Sequence, residues 1–270
     1  MHKIMAKKET TLSTFSVIGG LCFVCSILVC VSVVLLKPLQ EIAINNDRQI
    51  SILEAASVKV DGKVSEVYAN NIEERLVDLK TGEYVTDKNQ LASILGSAEA
   101  EIGSYDFVAN AKVVGKNIDV DASKDKDNPG IKTTAAYMPV YLVKNGATYS
   151  AIILPFYGQG LWSTMYGYLS VDVDGNTIKA VKFYSHGETP GLGAEIENPK
   201  WTATWVGKKL FDNNEYMFNI KKNAVANGHE VDALSGATLT SDGVSRSVKF
   251  WANESGYGKL LNRIKSEGVK

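Results

Sequence analysis

The chain has 270 residues, with 29 Lys and Arg against 30 Asp and Glu and a formal net charge of −1. So even a balance leaves no electrostatic footprint for nucleic acid or for a strongly acidic partner. Apolar residues make up 45% and aromatics 9%, which is the composition of a folded globular protein rather than a disordered one. All three cysteines, Cys22, Cys25 and Cys30, fall in one apolar segment near the start. The rest of the chain can therefore hold neither a disulfide framework nor a cysteine-ligated metal or iron–sulfur centre.

Phe15 to Leu36 contains no charged residue. At the helical rise this stretch reaches about 33 Å, enough to cross a hydrocarbon core of about 30 Å. The following Lys37-Pro38-Leu39-Gln40-Glu41 offers no small-x-small cleavage site. None of the cysteines follows a small residue, as a lipid-attachment signal requires. The segment reads as a permanent single span. Lys3, Lys7 and Lys8 precede it, whereas Lys37 is soon joined by Glu41 and Asp47. That asymmetry predicts a cytoplasmic N-terminus over residues 1–14 and a body in the periplasm of a Gram-negative cell. Within the span, Cys22-x-x-Cys25 reads as apolar filler rather than a redox pair. Gly19-Gly20 fits close packing of a neighbouring helix and simple tolerance of glycine in lipid equally well.

Beyond the span, Ile42, Ile50, Ile52 and Leu53 continue a helical pattern from Glu41 to about Ala56. Residues 37–56 are thus expected to form a membrane-proximal helix and 57–270 a periplasmic domain. Val58 to Tyr84 alternates as strands do, with turns at Asp61-Gly62 and Thr81-Gly82. Leu91 to Ala100 reads as a weak helix, and Asp121 to Gly130 as a loop. Pro139 to Lys144 and Thr148 to Phe156 read as strands around Asn145-Gly146. Tyr166 to Val173 and Thr177 to Tyr184 form a second pair around Asp174-Gly175-Asn176. Asn198-Pro199 opens a helix to about Phe211, and Asp242 is placed to cap a last helix ending near Asn253. The expected fold is α+β: a twisted antiparallel sheet with helices packed against it, preceded by one transmembrane helix.

Three segments are rich in glycine and small side chains: Tyr157 to Trp162, His186 to Gly193, and Asp232-Ala-Leu-Ser-Gly-Ala-Thr238. If they converge, they form a shallow pocket with exposed backbone amides, suited to a flat ring system and its phosphate. Thr238 places a hydroxyl just before a helix, where a phosphoryl ester would meet free amides. The plainer alternative is that Ser235 to Ser241 is a capping loop. Glu188 is expected to make polar contact with a bound ring, and Trp162 either stacks on that ring or belongs to the core. His186 is read as loop packing, because His2 and His229 do not supply partners for a metal site.

The stretch from Asp232 to Thr238 resembles the Asp-x-x-Ser/Thr-Gly-Ala-Thr/Ser motif of the FMN-binding domain family. Glu188-Thr189-Pro190-Gly191-Leu192-Gly193 and Gly160-Leu161-Trp162 are similar to two further signatures of that family. In that order, behind one span, they resemble the NqrC family of Na⁺-translocating NADH:quinone oxidoreductases over nearly the full chain, though Val58 to Lys132 matches no pattern. The resemblance implies an FMN-binding region at about 140–253 and covalent FMN, joined by a phosphodiester to Thr238 by a separate flavin transferase using FAD and Mg²⁺. It implies that Ser235, Gly236 and Ala237 shape the loop around the phosphate. Glu188, Thr189, Leu192 and Gly193 would line the ring, and Trp162 would border it.

No Gly-x-Gly-x-x-Gly follows a predicted strand, and the span carries no carboxylate. The chain is therefore expected to relay electrons between other subunits of a membrane respiratory complex in the inner membrane. NADH oxidation, sodium transport and quinone reduction would fall to those subunits. Three other readings are the G subunit of an Rnf-type electron-transport complex, a colourless periplasmic binding module, and a transferase that modifies itself at Thr238.

Overall fold

The computed structural model describes residues 11–97, 99–120 and 128–269. Lys3, Lys7 and Lys8, and most of the expected loop from Asp121 to Gly130, lie outside the described residues. The chain divides into two units, Met1–Arg48 and Gln49–Lys270.

The first helix, α1, runs from Thr11–Ala55 and includes Pro38. It is long and apolar enough to cross a membrane, and none of its most apolar stretch is buried. The hydroxyls of Ser16, Ser26 and Ser32 donate to the carbonyls of Leu12, Phe23 and Leu28, so these donors are satisfied within the helix. The last turns of α1 belong to the second unit. There Ile52, Leu53 and Ala55 are buried in a cluster with Tyr68, Ile72, Tyr141, Ile153 and Tyr168.

The second unit is built on a five-stranded sheet. In chain order come α2 (Val64–Asn71), β1 (Ile72–Asp78), α3 (Lys88–Leu95), α4 (Phe107–Asn110), β2 (Asn117–Asp119) and β3 (Thr133–Ala135). They are followed by β4 (Tyr137–Asn145), β5 (Thr148–Gln159), β6 (Thr164–Asp172) and β7 (Ile178–Ser185). The sheet has the order β1-β4-β5-β6-β7, and every neighbouring pair is antiparallel. Then come α5 (Pro199–Ala203), β8 (Phe211–Asp212), β9 (Glu215–Tyr216), β10 (Asn219–Lys221), β11 (Glu230–Asp232), α6 (Thr238–Ala252) and α7 (Gly258–Glu267).

Both faces of the sheet are covered. Tyr141, Ile153 and Tyr168 face the end of α1. Leu142, Ile152, Leu154 and Phe156 lie in the main core with Val244, Val248 and Trp251 of α6 and with Leu260, Leu261 and Ile264 of α7. This double cover explains why β4 and β5 read as near-continuous apolar runs instead of a clean alternation.

The fold class is the expected one, and four local expectations are corrected. Val64–Asn71 is helical within the stretch expected to be strands, because Val64, Val67 and Tyr68 place an apolar stripe against the second core cluster. The helix opened by Asn198 and Pro199 ends at Ala203 rather than near Phe211. Beyond it the backbone turns to β7, where Gly207 N–H donates to Ile178 O at 2.9 Å. Helix α6 begins at Thr238, not at Asp242, which lies in its second turn. It is also not the last helix, since α7 follows it.

Candidate functional site

Three loops meet at the N-terminal end of α6. The β5–β6 hairpin supplies Gly160–Ser163, the chain leaving β7 supplies His186–Gly193, and the segment after β11 supplies Ala233–Ala237. The sequence places small residues in all three, and the structure joins the first two to the first turn of α6 through one carboxylate. Glu188 is only 5% exposed. Its Oε1 accepts from Trp162 N–H at 2.9 Å and Ser163 N–H at 3.2 Å. Its Oε2 accepts from Leu161 N–H at 3.2 Å and from the Thr240 hydroxyl at 2.6 Å.

Glycine makes the approach possible: a methyl group on Gly160 would stand 2.6 Å from Glu188 Oε1, and one on Gly193 would stand 2.7 Å from Thr240 Oγ1. Burial by itself pushes the Glu188 carboxyl up. The hydrogen bonds from Thr240, Trp162, Leu161 and Ser163 outweigh that and hold it below the ordinary glutamate value. Both oxygens of Glu188 thus accept hydrogen bonds within the protein. The position follows from loop geometry, which a motif does not encode.

His186 braces the same loop. Its Nδ1 accepts from Glu188 N–H at 3.1 Å, and its Nε2 lies 3.0 Å from Glu197 Oε1. Ser163 Oγ accepts from Gly187 N–H at 2.6 Å, joining the hairpin to that loop a second time.

Thr238 is exposed and is the first residue of α6. No side chain caps this helix, whose N-cap position is Ala237. The first-turn amides have no partner within a helix, so the N-terminus offers donors and a positive dipole end to an anion. Ser235 and Gly236 are exposed and Ala237 is buried. The turn is held from behind: Leu234 N–H donates to the buried Ser241 hydroxyl at 3.0 Å, and Ala237 N–H donates to Leu234 O at 3.2 Å. Asp232, which opens the motif, points away from Thr238. Its Oδ1 accepts from Ala224 N–H at 2.8 Å, while its carbonyl accepts from Trp201 Nε1 at 2.7 Å.

The first two loops and the first turn of α6 carry exposed apolar side chains. Trp162 is 70% exposed, which excludes the core alternative for it, and Leu161, Leu192 and Leu239 are exposed as well. A methyl group on Gly236 would meet Leu192 Cδ2 at 3.2 Å, so the glycine-rich loop and the Ala233–Ala237 loop touch. Thr189 is exposed, and its carbonyl accepts from Leu192 and Ala194 N–H at 3.1 and 3.0 Å, which closes the turn. The result is an open ledge with a hydroxyl, free amides and apolar walls. Thr240, Ser241 and Ser163 were not singled out from sequence. Their one readable signal is hydroxyls beside or within the small-residue segments.

An antiparallel sheet with such a ledge at its loop ends is the framework of a flavin-nucleotide domain, and the family described as "FMN-binding domain" matches residues 160–253. The chain is 43% identical over 266 residues to the C subunit of Na(+)-translocating NADH-quinone reductase from Pasteurella multocida, covering 96% of each. It is 41% identical to the protein of that name from Neisseria meningitidis serogroup B, covering 98% of this chain and all of that one. The crystal structure of NqrC from Shewanella oneidensis superposes with a TM-score of 0.72 at 33% identity, over 83% of this chain and 98% of that one. The crystal structure of the corresponding C subunit from Parabacteroides distasonis gives a TM-score of 0.62 at 31% identity, over 84% and 96%. The chain belongs to the NqrC family, the C subunits of Na(+)-translocating NADH-quinone reductase.

Proposed function

We propose that this chain is the membrane-anchored flavoprotein subunit of a Na⁺-translocating NADH:quinone oxidoreductase, with FMN joined to Thr238 by a phosphodiester. The observation that carries the reading is the exposed Thr238 hydroxyl at the uncapped N-terminus of α6, with Gly236 and Leu192 in contact beside it. The ledge fits the cofactor. The first-turn amides suit its phosphate, and Ser235, Gly236 and Ala237 leave room around that group. Leu192, Thr189, Gly193 and Trp162 offer a mainly apolar border for a flat ring.

During maturation, Thr238 Oγ attacks the FMN-side phosphorus of FAD in the site of a Mg²⁺-dependent flavin transferase. The hydroxyl gives up its proton, the new P–O bond forms, the pyrophosphate bond breaks and AMP leaves, with no change in oxidation state. A phosphodiester removes dissociation as a route of loss, which matters for a cofactor held outside the cytoplasm. Bound FMN supplies one- and two-electron chemistry, while the protein supplies placement and electrostatics.

The chain relays electrons between neighbouring subunits. NADH oxidation, quinone reduction and sodium movement would fall to those neighbours; for the first and last, the lack of a dinucleotide fingerprint and of carboxylates in the span supports this reading. Residues 15–36 anchor it in the inner membrane, with 1–14 cytoplasmic and 37–56 leading to a periplasmic domain over 57–270.

The direct test is acid denaturation of the chain made together with its flavin transferase, followed by in-gel fluorescence and intact-mass measurement. The mass and the fluorescence of one FMN should stay with the polypeptide and vanish in Thr238→Ala. That variant should keep the fold, because the replaced side chain is exposed. Colour that washes away, or an unmodified mass for the unaltered chain, rules out the covalent linkage.

A further inference from the structure

Both oxygens of Glu188 are engaged within the protein, and we infer that it is a positioning residue. Its carboxylate latches the Gly160–Ser163 hairpin to the first turn of α6 and so holds Thr238 in the place where it is modified. This inference rests on the reading of Thr238 as the attachment residue.

The geometry is that of a centre around which the loops are built. Its donors come from two separate parts of the chain: three consecutive backbone amides and the Ser163 hydroxyl of the hairpin, and the Thr240 hydroxyl. Gly160 and Gly193 leave out the methyl groups that would collide with it or with Thr240. All of these donors are neutral. A buried carboxylate without a paired cation is tolerated only while each donor stays in position, so the ion demands one arrangement of both loops.

Thr240 lies two residues beyond Thr238 in the same helical turn, at 2.6 Å from the carboxylate. No side chain caps that turn. The contact with Glu188 therefore replaces the usual cap as the anchor of the helix start. Fraying there would move the attacking oxygen, and a shift of about 1 Å is enough to cost on the order of 100-fold in rate.

The test uses the full chain, made without flavin transferase and purified in detergent. It is mixed with purified transferase, FAD and Mg²⁺, and attachment is followed by intact mass. Circular dichroism reports whether each variant is folded. Thr240→Val removes the donor at nearly constant volume, and Thr240→Ser keeps it. We expect Thr240→Val to lower the turnover of attachment by about 10- to 100-fold, with the KM for the chain unchanged, and Thr240→Ser to restore it. The Trp162 amide should exchange with deuterium faster in Thr240→Val than in the parent.

A folded Thr240→Val that takes up flavin at the parent rate overturns the latch. If Thr240→Val does not fold, the parent's Trp162 amide decides: slow exchange supports the latch, and exchange at the rate of an open loop overturns it. An unaltered chain that accepts no flavin at all defeats the assignment of Thr238 instead.

Discussion

At the scale of single residues, the site is organised by a negative charge that neutral groups hold. The hydrogen bonds at Glu188 more than offset the cost of its burial, so its folded pKa lies below the ordinary value of 4.5. A group depressed in this way stabilises the fold fully above its unfolded pKa and loses that contribution as pH falls through the folded one. The urea midpoint of the parent chain should therefore drop as pH falls below about 4.5. Glu188→Gln should be less stable at neutral pH and should show a smaller drop over the same window, since it has no proton to take up there. Equal pH dependence in the two chains would remove Glu188 from the acid transition. The identity of this residue was legible in its signature, and so was the site's small-residue character. The direction of its side chain was not, because an irregular loop has no periodicity that assigns a face.

At the scale of elements, the position of α6 follows from how closely it crosses the end of β5. A methyl group on Gly243 would lie 2.5 Å from Gln159 O and 3.2 Å from Gly160 Cα. These are backbone atoms and cannot swing aside. Two further bonds tie the C-terminal part of the chain to the same strand: Trp251 Nε1 donates to Tyr157 O at 2.7 Å and Tyr257 OH to Pro155 O at 2.9 Å. Gly243→Ala should therefore destabilise the domain by about 1–3 kcal/mol through overpacking, as read from urea unfolding. A loss near zero would mean that α6 shifts freely over the strand. The hairpins of the second half were readable because Asn145-Gly146 and Asp174-Gly175 punctuate them. Helix α2 carries helical spacing in Val64, Val67 and Tyr68, but a stripe this short is easily passed over beside alternating neighbours. Helix α7 shows its stripe in Leu260, Leu261 and Ile264, but a stripe of one turn identifies a helix only once the sheet is there to receive it.

At the scale of the whole molecule, the proposed topology puts residues 1–14 in the cytoplasm and 57–270 outside it. A reporter enzyme that needs disulfides to fold, joined after Lys270, should be active in cells, and a fluorescent protein that folds only in the cytoplasm should stay dark at the same position. The opposite pair of results reverses the proposed topology.

Family, cofactor class and the long apolar helix all followed from local patterns: an uncharged run long enough for a bilayer, and three short signatures in a set order. Such features survive in a linear reading because each is complete within a few consecutive residues. The clamp at Glu188, the start of α6 at Thr238 and the double cover of the sheet were decided by tertiary structure. Each joins groups far apart along the chain, as Glu188 and Thr240 are, and the free energy of such a contact exists only once both partners have been brought to the same place.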